Sequence, residues 1–151
     1  MNKEDKELLL KYLCMALPYG VMCFASDYEY GDIGKLWCVE PFEDLDPPIT
    51  IQYPKGNTIT KFCSEIKPYL RPMLSMTEEE KEEMHNLLSP EGTAIYENNG
   101  IALPINHYGE YVAYEFMNRI IQYLLKNHFD FMGLIPNGIA IEVTENNNPY
   151  K

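Results

Sequence analysis

The chain has 151 residues, 46% of them hydrophobic, and a formal net charge of −11. That length suits one domain, at most with a small second lobe, and the apolar content supports a core and excludes wholesale disorder. The acidity is spread along the chain with no basic cluster to neutralise phosphates, which argues against direct nucleic-acid binding and against docking on acidic membranes; no apolar run reaches the length of a membrane span.

Residues 2–17 read as a helix. Asn2 is placed to cap it, Glu4 and Asp5 suit its first turn, and Leu9, Leu13 and Ala16 share one face. Glu7 and Lys11 are spaced as a favourable pair on the polar side, and Pro18 ends the helix. Tyr19–Ser26 (YGVMCFAS) reads as a strand apolar on both faces. Residues 27–34 read as a turn, and Lys35–Glu40 (KLWCVE) as the next strand, with Trp37 in the core. Residues 40–48 (EPFEDLDPP) form a solvated acidic loop. Glu43, Asp44 and Asp46 lack the glycine and closing glutamate of a calcium loop, so no metal is expected there. Ile49–Tyr53 and Thr58–Phe62 flank Pro54-Lys55-Gly56-Asn57 as a hairpin.

Pro68 and Pro72 close off this β-rich half. Thr77 and Glu80 form a capping box, which starts a helix from Glu78 to about Leu88. Residues 93–103 carry Asn99-Gly100, the pair favoured in a tight hairpin turn. Gly109–Asn127 is the longest helical pattern, with Val112, Phe116, Ile120 and Leu124 at helical spacing. Ile139–Val143 reads as a last strand that joins the sheet. The fold expected is α+β: a bent antiparallel sheet or small open barrel of about four to five strands, an N-terminal helix, a capped middle helix and one long C-terminal helix. The expected organisation is a single domain over residues 1–151, β-rich to about residue 65 and helical from 66 onward.

Cys14, Cys23, Cys38 and Cys63 contain no CxxC pair, so a zinc ribbon is unsupported. The charged start MNKEDKELLLKYLC does not read as a signal peptide. A cytoplasmic protein with reduced, mostly buried cysteines is expected. Phosphate-binding and hydrolase motifs are missing, and no cofactor is implied. By residue type, His128 with Asp130 is the best general-base pair, and His128 follows the long helix, where the dipole favours a protonated imidazole. No nucleophile can be named beside it.

Twelve tyrosines and six phenylalanines stand in this acidic chain. Many of the tyrosines fall in or near predicted loops, where tyrosine serves contact surfaces. The candidate binding residues are Tyr69, Arg71, Trp37, Tyr108, His128 and Asp130. Arg71, held between two prolines, is either a rigid anchor for a partner or the cation that pins the seam between the two halves.

Three segments carry a resemblance: LPYGV at 17–21, IKPYLRPMLSMTEEEKEEM at 66–84 and NHFDFMGLIPNGIAIEV at 127–143. Together they resemble an uncharacterised small-protein family of gut anaerobic bacteria and their phages and prophages. The resemblance implies a compact cytosolic protein of mobile-element association and implies no reaction. Phe131-Met132 departs from the family pattern, in which an arginine follows the aromatic residue, and Leu74 stands where a serine is common. The leading expectation is a small protein-interaction module with a protein partner or a homodimer seam. The alternatives are an acidic nucleic-acid mimic that inhibits a DNA-binding protein, and an enzyme using His128 and Asp130.

Overall fold

The computed structural model describes residues 1–27, 29–40, 46–88, 94–98, 101–105 and 110–151, with backbone alone for 27, 88, 94–98, 101–105 and 110–116. The fold is α+β. The chain divides into two compact units, one of Met1–Met73 with His128–Lys151, the other of Leu74–Asn127.

In the first unit, helix α1 (Lys3–Ala16) starts where Asn2 Oδ1 accepts the Asp5 amide at 2.8 Å. Leu9, Tyr12, Leu13 and Ala16 form its buried face. The ion pair on its polar side is Lys3–Glu7 at 3.7 Å, one turn earlier than the spacing of Glu7 and Lys11 suggested. Leu17–Tyr19 then makes a 3-10 turn, and Gly20 takes a left-handed φ of 66°. Strand β1 therefore begins only at Met22 and runs to Asp27. Strand β2 (Gly31–Val39) starts earlier than expected and takes up half of the anticipated turn. Strands β3 (Pro48–Gln52) and β4 (Thr58–Phe62) form the expected hairpin.

The sheet differs from the expected four or five antiparallel strands. It has six, in the order β4-β3-β2-β1-β5-β8, and it is open and mixed. The added member is β5 (Lys67–Leu70), which contains Pro68, one of the two prolines thought to exclude a strand; β8 (Ile141–Glu142) is the expected last strand, shorter than the segment predicted. Parallel pairing of β5 with β8 makes the sheet mixed. Cys23, Ala25, Leu36, Ile49 and Ile51 point inward with the apolar face of α1 and complete a core with Cys63, Ile66, Leu70, Phe129 and Leu134. Gly34 permits the close approach of β2 to β3: a Cβ there would collide with Ile51 and come within 2.9 Å of the Gln52 carbonyl oxygen.

Two polar devices hold this unit together. The Asp46 carboxylate accepts Lys6 Nζ at 2.9 Å, the Ser64 amide at 2.9 Å and the Ser64 hydroxyl at 2.6 Å. It thereby ties α1 to the turn Cys63–Glu65, so this member of the acidic loop is an anchor and not a solvated charge. Burial raises the Asp46 pKa, and the bonds from Ser64 and Lys6 outweigh it, holding the carboxyl below its ordinary value. Glu43 and Asp44 lie outside the described residues.

The second device involves the penultimate residue. Cys23 is opposite Pro68 and Phe24 opposite Lys67, so one further step sets Met22 opposite Tyr69. There the Tyr150 hydroxyl stands between the strands, accepting the Met22 amide at 3.2 Å and donating to the Tyr69 carbonyl at 2.7 Å. A side chain thus completes a ladder step of the backbone.

The second unit holds α2 (Glu78–Leu88), the hairpin β6 (Ala94–Asn98) and β7 (Ile101–Ile105), and α3 (Glu110–Lys126). The capping box forms as read: Thr77 Oγ1 accepts the Glu80 amide at 3.2 Å and Glu80 Oε2 accepts the Thr77 amide at 2.9 Å. The helices pack on each other and on β7. The Tyr123 hydroxyl lies 3.2 Å from the Glu80 carbonyl and 3.1 Å from the Glu83 carboxylate.

Replacing Tyr150 with phenylalanine removes the shared partner of Met22 and Tyr69 and is expected to lower stability by about 1–3 kcal/mol. Urea unfolding followed by circular dichroism measures it. An unchanged midpoint would show that the hydroxyl bears none of this ladder step.

Candidate functional site

The residues singled out in the sequence separate into a buried group and an exposed one. Arg71 continues β5 as a bridge to Phe129: its amide donates to the His128 carbonyl at 2.8 Å and its carbonyl accepts the Asp130 amide at 2.8 Å. The guanidinium carbon lies 4.3 Å from the centroid of the Phe129 ring. Tyr69 is 7% exposed, and Arg71 is half-buried. This part of the expected contact surface is therefore mostly interior. Tyr108 lies outside the described residues.

His128 and Asp130 are neighbours on the same segment with separate tasks. The Asp130 carboxylate accepts the Leu134 and Ile135 amides, each at 2.8 Å, and shapes the loop that follows. His128 has a left-handed φ of 58° and stacks on Tyr150 with ring centroids 4.0 Å apart and planes 9° apart. Its Nδ1 is buried without a hydrogen-bond partner. Burial first, and the Arg71 charge second, push its pKa down to about 4. The imidazole is neutral at pH 7. Desolvation and a cation beside it overcome the helix-end effect that the sequence suggested.

The four cysteines are free. Burial raises the Cys23 thiol far out of the reactive range and pushes Cys63 up to about 11, so both are almost wholly protonated at neutral pH. Cys38 is half-buried, and Cys14 is exposed on α1, a departure from the expected apolar position. Even there, burial raises the thiol pKa. Among the described residues no group of three histidines, cysteines or carboxylates could hold a metal ion.

The exposed group lies on β2, β3 and β4. Trp37, expected in the core, is 55% exposed. The cause is local. Strand alternation sets Trp37 outward with exposed Lys35 while Leu36 between them is buried, and the register of β2 against β3 shifts just after, between Leu36 and Cys38. Phe62, at the end of β4, is 58% exposed. Between them the Thr50 and Thr60 hydroxyls meet at 3.2 Å. At the hairpin end, two hollows flank Tyr53 and Pro54. One of ≈ 350 Å³ is lined by Glu29, Tyr30, Lys55 and Asn57, the other of ≈ 220 Å³ by Met22, Lys35, Gln52 and Gly56. Tyr53 is fixed between them, its hydroxyl donating to the Ala25 carbonyl at 2.5 Å and its ring 5.9 Å from that of Tyr30. Neither hollow holds a nucleophile beside a base. Phe62 had no signal in the sequence beyond its place at the end of a hairpin strand.

Comparison with protein-family models, with curated proteins and with solved structures finds no match to this chain.

The neutral, buried His128 has a consequence for acid stability. The unfolded chain binds a proton at this residue near pH 6.5, the folded chain only near pH 4. Between these values the unfolded state holds more protons, so stability falls as the pH drops from about 6.5 toward 4 and is level in this term above 6.5. Allowing for solvent screening of a half-buried ring, the loss is about 1–2 kcal/mol. Urea midpoints measured across that range should fall for the parent and fall less for His128→Asn, which tolerates the left-handed backbone. Equal slopes would assign the acid sensitivity to other groups.

Proposed function

We propose that this chain is a small protein-interaction module of phage or mobile-element type, working in the cytoplasm through the outer face of β2, β3 and β4. The observation that carries the reading is the sole tryptophan, 55% exposed at a strand bulge and sharing a sheet face with a 58% exposed phenylalanine. Tryptophan concentrates at interface hot spots, and a large aromatic turned to water costs free energy unless something covers it. The histidine and carboxylate that an enzyme would use are committed to the interior, which favours binding over catalysis. Four free cysteines are in keeping with a reducing compartment. The mobile-element association rests on the resemblance of the 17–21, 66–84 and 127–143 segments. No described helix is long and apolar enough to cross a membrane.

Affinity capture from native-host lysate, with the parent protein beside a Trp37→Ala/Phe62→Ala variant, tests this reading. The expected result is a partner held at high salt by the parent and reduced at least about tenfold by the variant, while the variant's circular dichroism is unchanged. Equal capture by both proteins would put the contact surface elsewhere. No partner for either would sink the interaction reading.

A further inference from the structure

Strand β4 forms one end of the sheet, with β3 its only described neighbour. The direction of its backbone groups follows from the bonds at its two ends. Asn57 accepts the Tyr53 amide and Cys63 donates to the Pro47 carbonyl, so odd-numbered residues face β3 and Thr58, Thr60 and Phe62 present their groups to the open side. At Phe62 the outward amide is already occupied, bonded to Glu65 Oε2 at 2.9 Å. Thr58 and Thr60 remain as the docking length, with Phe62 beyond them as a side-chain contact.

Resting on the interaction reading above, we infer that β4 is the acceptor edge for an extended acidic segment of a partner protein, which adds to the sheet as a further strand beside Thr58–Phe62. Charge selects this occupant. The chain is acidic overall, yet β4 and the hairpin turn carry Lys61 and Lys55, and the one carboxylate at this edge, Glu65, is engaged by the Phe62 amide. Screening over about 8 Å at physiological salt lets these lysines outweigh remote carboxylates. A second copy of the chain fits the edge less well. Antiparallel pairing about Thr60 would set the two copies' Lys61 residues diagonally across the new seam, where like charges repel. A segment alternating glutamate with small apolar or hydroxyl residues meets these lysines and leaves Phe62 to pack beside the added strand, with Trp37 farther in on the same sheet face.

The test uses the full chain and two short capped peptides, one alternating glutamate with valine and threonine, the other with lysine in place of glutamate. Trp37 is the chain's one tryptophan, so its fluorescence reports on this face, and anisotropy of labelled peptide gives the affinity. The glutamate peptide is expected to bind, and the lysine peptide to bind at least about tenfold more weakly, with the difference shrinking in salt. Thr60→Pro removes an outward amide without touching a β3 bond, and Lys61→Glu reverses the edge charge; each should weaken binding about tenfold. Should Thr60→Pro not fold, a glutamate peptide with alternate amides N-methylated tests the same bonds on the unaltered protein and should also bind weakly.

Preference for the lysine peptide overturns the charge selection. Undiminished binding of the methylated peptide overturns strand addition. Absence of glutamate-peptide binding, or a mass that doubles with concentration in sedimentation and is lost in Thr60→Pro, overturns the acidic occupant. If the peptide fails while lysate capture still depends on Trp37 and Phe62, this inference falls and the interaction reading stands. If both fail, both fall.

Discussion

Strand β5 is hydrogen-bonded along both sides by segments remote in sequence, and the first unit depends on that convergence. On one side Leu70 accepts the Val143 amide at 2.7 Å. On the other, β1 pairs antiparallel, the Tyr150 hydroxyl fills the next step, and Arg71 bonds with His128 and Asp130. Backbone groups alternate along a strand, so the missing donor of Pro68 falls on the side away from β1. A proline in this strand therefore costs no bond to β1. The same convergence makes the unit's topology strongly non-local: residues 67–71 meet 22–24, 128–130, 141–143 and 150. Such contacts are slow to form, because long loops must close before any bond repays them.

Several groups that look reactive in a sequence are consumed in making this arrangement. Asp130 binds two backbone amides, and Asp46 binds one amide, one hydroxyl and one ammonium. His128 turns the chain through a left-handed residue and lies against Tyr150. A carboxylate is a compact multiple acceptor, and a buried backbone amide without a partner costs about 1–3 kcal/mol. In a domain of this size a few such anchors can decide how irregular loops close. Among the described residues the unpartnered Nδ1 of His128 and the unpartnered hydroxyl of Tyr12 are the exceptions. Tyr12 lies on the buried face of α1, where burial raises its phenol far above the ordinary value and keeps it protonated.

What the sequence made legible was local. The Asn2 cap, the Thr77–Glu80 capping box, the extent of α2 and the β3–β4 hairpin each follow from residues within a few positions of one another. The structure departs where a distant partner decides. Strand β5 was hidden by Pro68 within it and Pro72 just beyond it, because the harmlessness of Pro68 depends on which neighbour lies on which side. The exposure of Trp37 depends on which face of β2 the core covers: alternation sets it opposite buried Leu36, and the apolar run Leu36-Trp37-Cys38-Val39 does not say which face is inward. Tyr69 and Asp130 looked like loop residues because the segments that bury them come from the other end of the chain. The α+β class survived these errors because it needs only the types of element and not their pairing. The open, mixed sheet needed the pairing.

The two ends of the sheet are finished in different ways, and the difference bears on function. At the β8 end the outermost strand is two residues long, and Asn147 accepts the Thr144 amide and donates to the Glu142 carbonyl, closing the chain back on itself. That edge offers little length to another strand. At the β4 end five residues are paired with β3, rich in threonine and with the single charge Lys61. Open edges invite indiscriminate pairing, and a lysine on the strand together with an occupied amide at its end are the usual restraints. Here Glu65 supplies the second restraint at Phe62. An edge so restrained is not merely neglected: a positive charge that opposes pairing with an identical strand favours an acidic one. On the proposed reading the same side chain would oppose self-association and favour an acidic partner, so that repulsion would contribute to specificity as much as attraction.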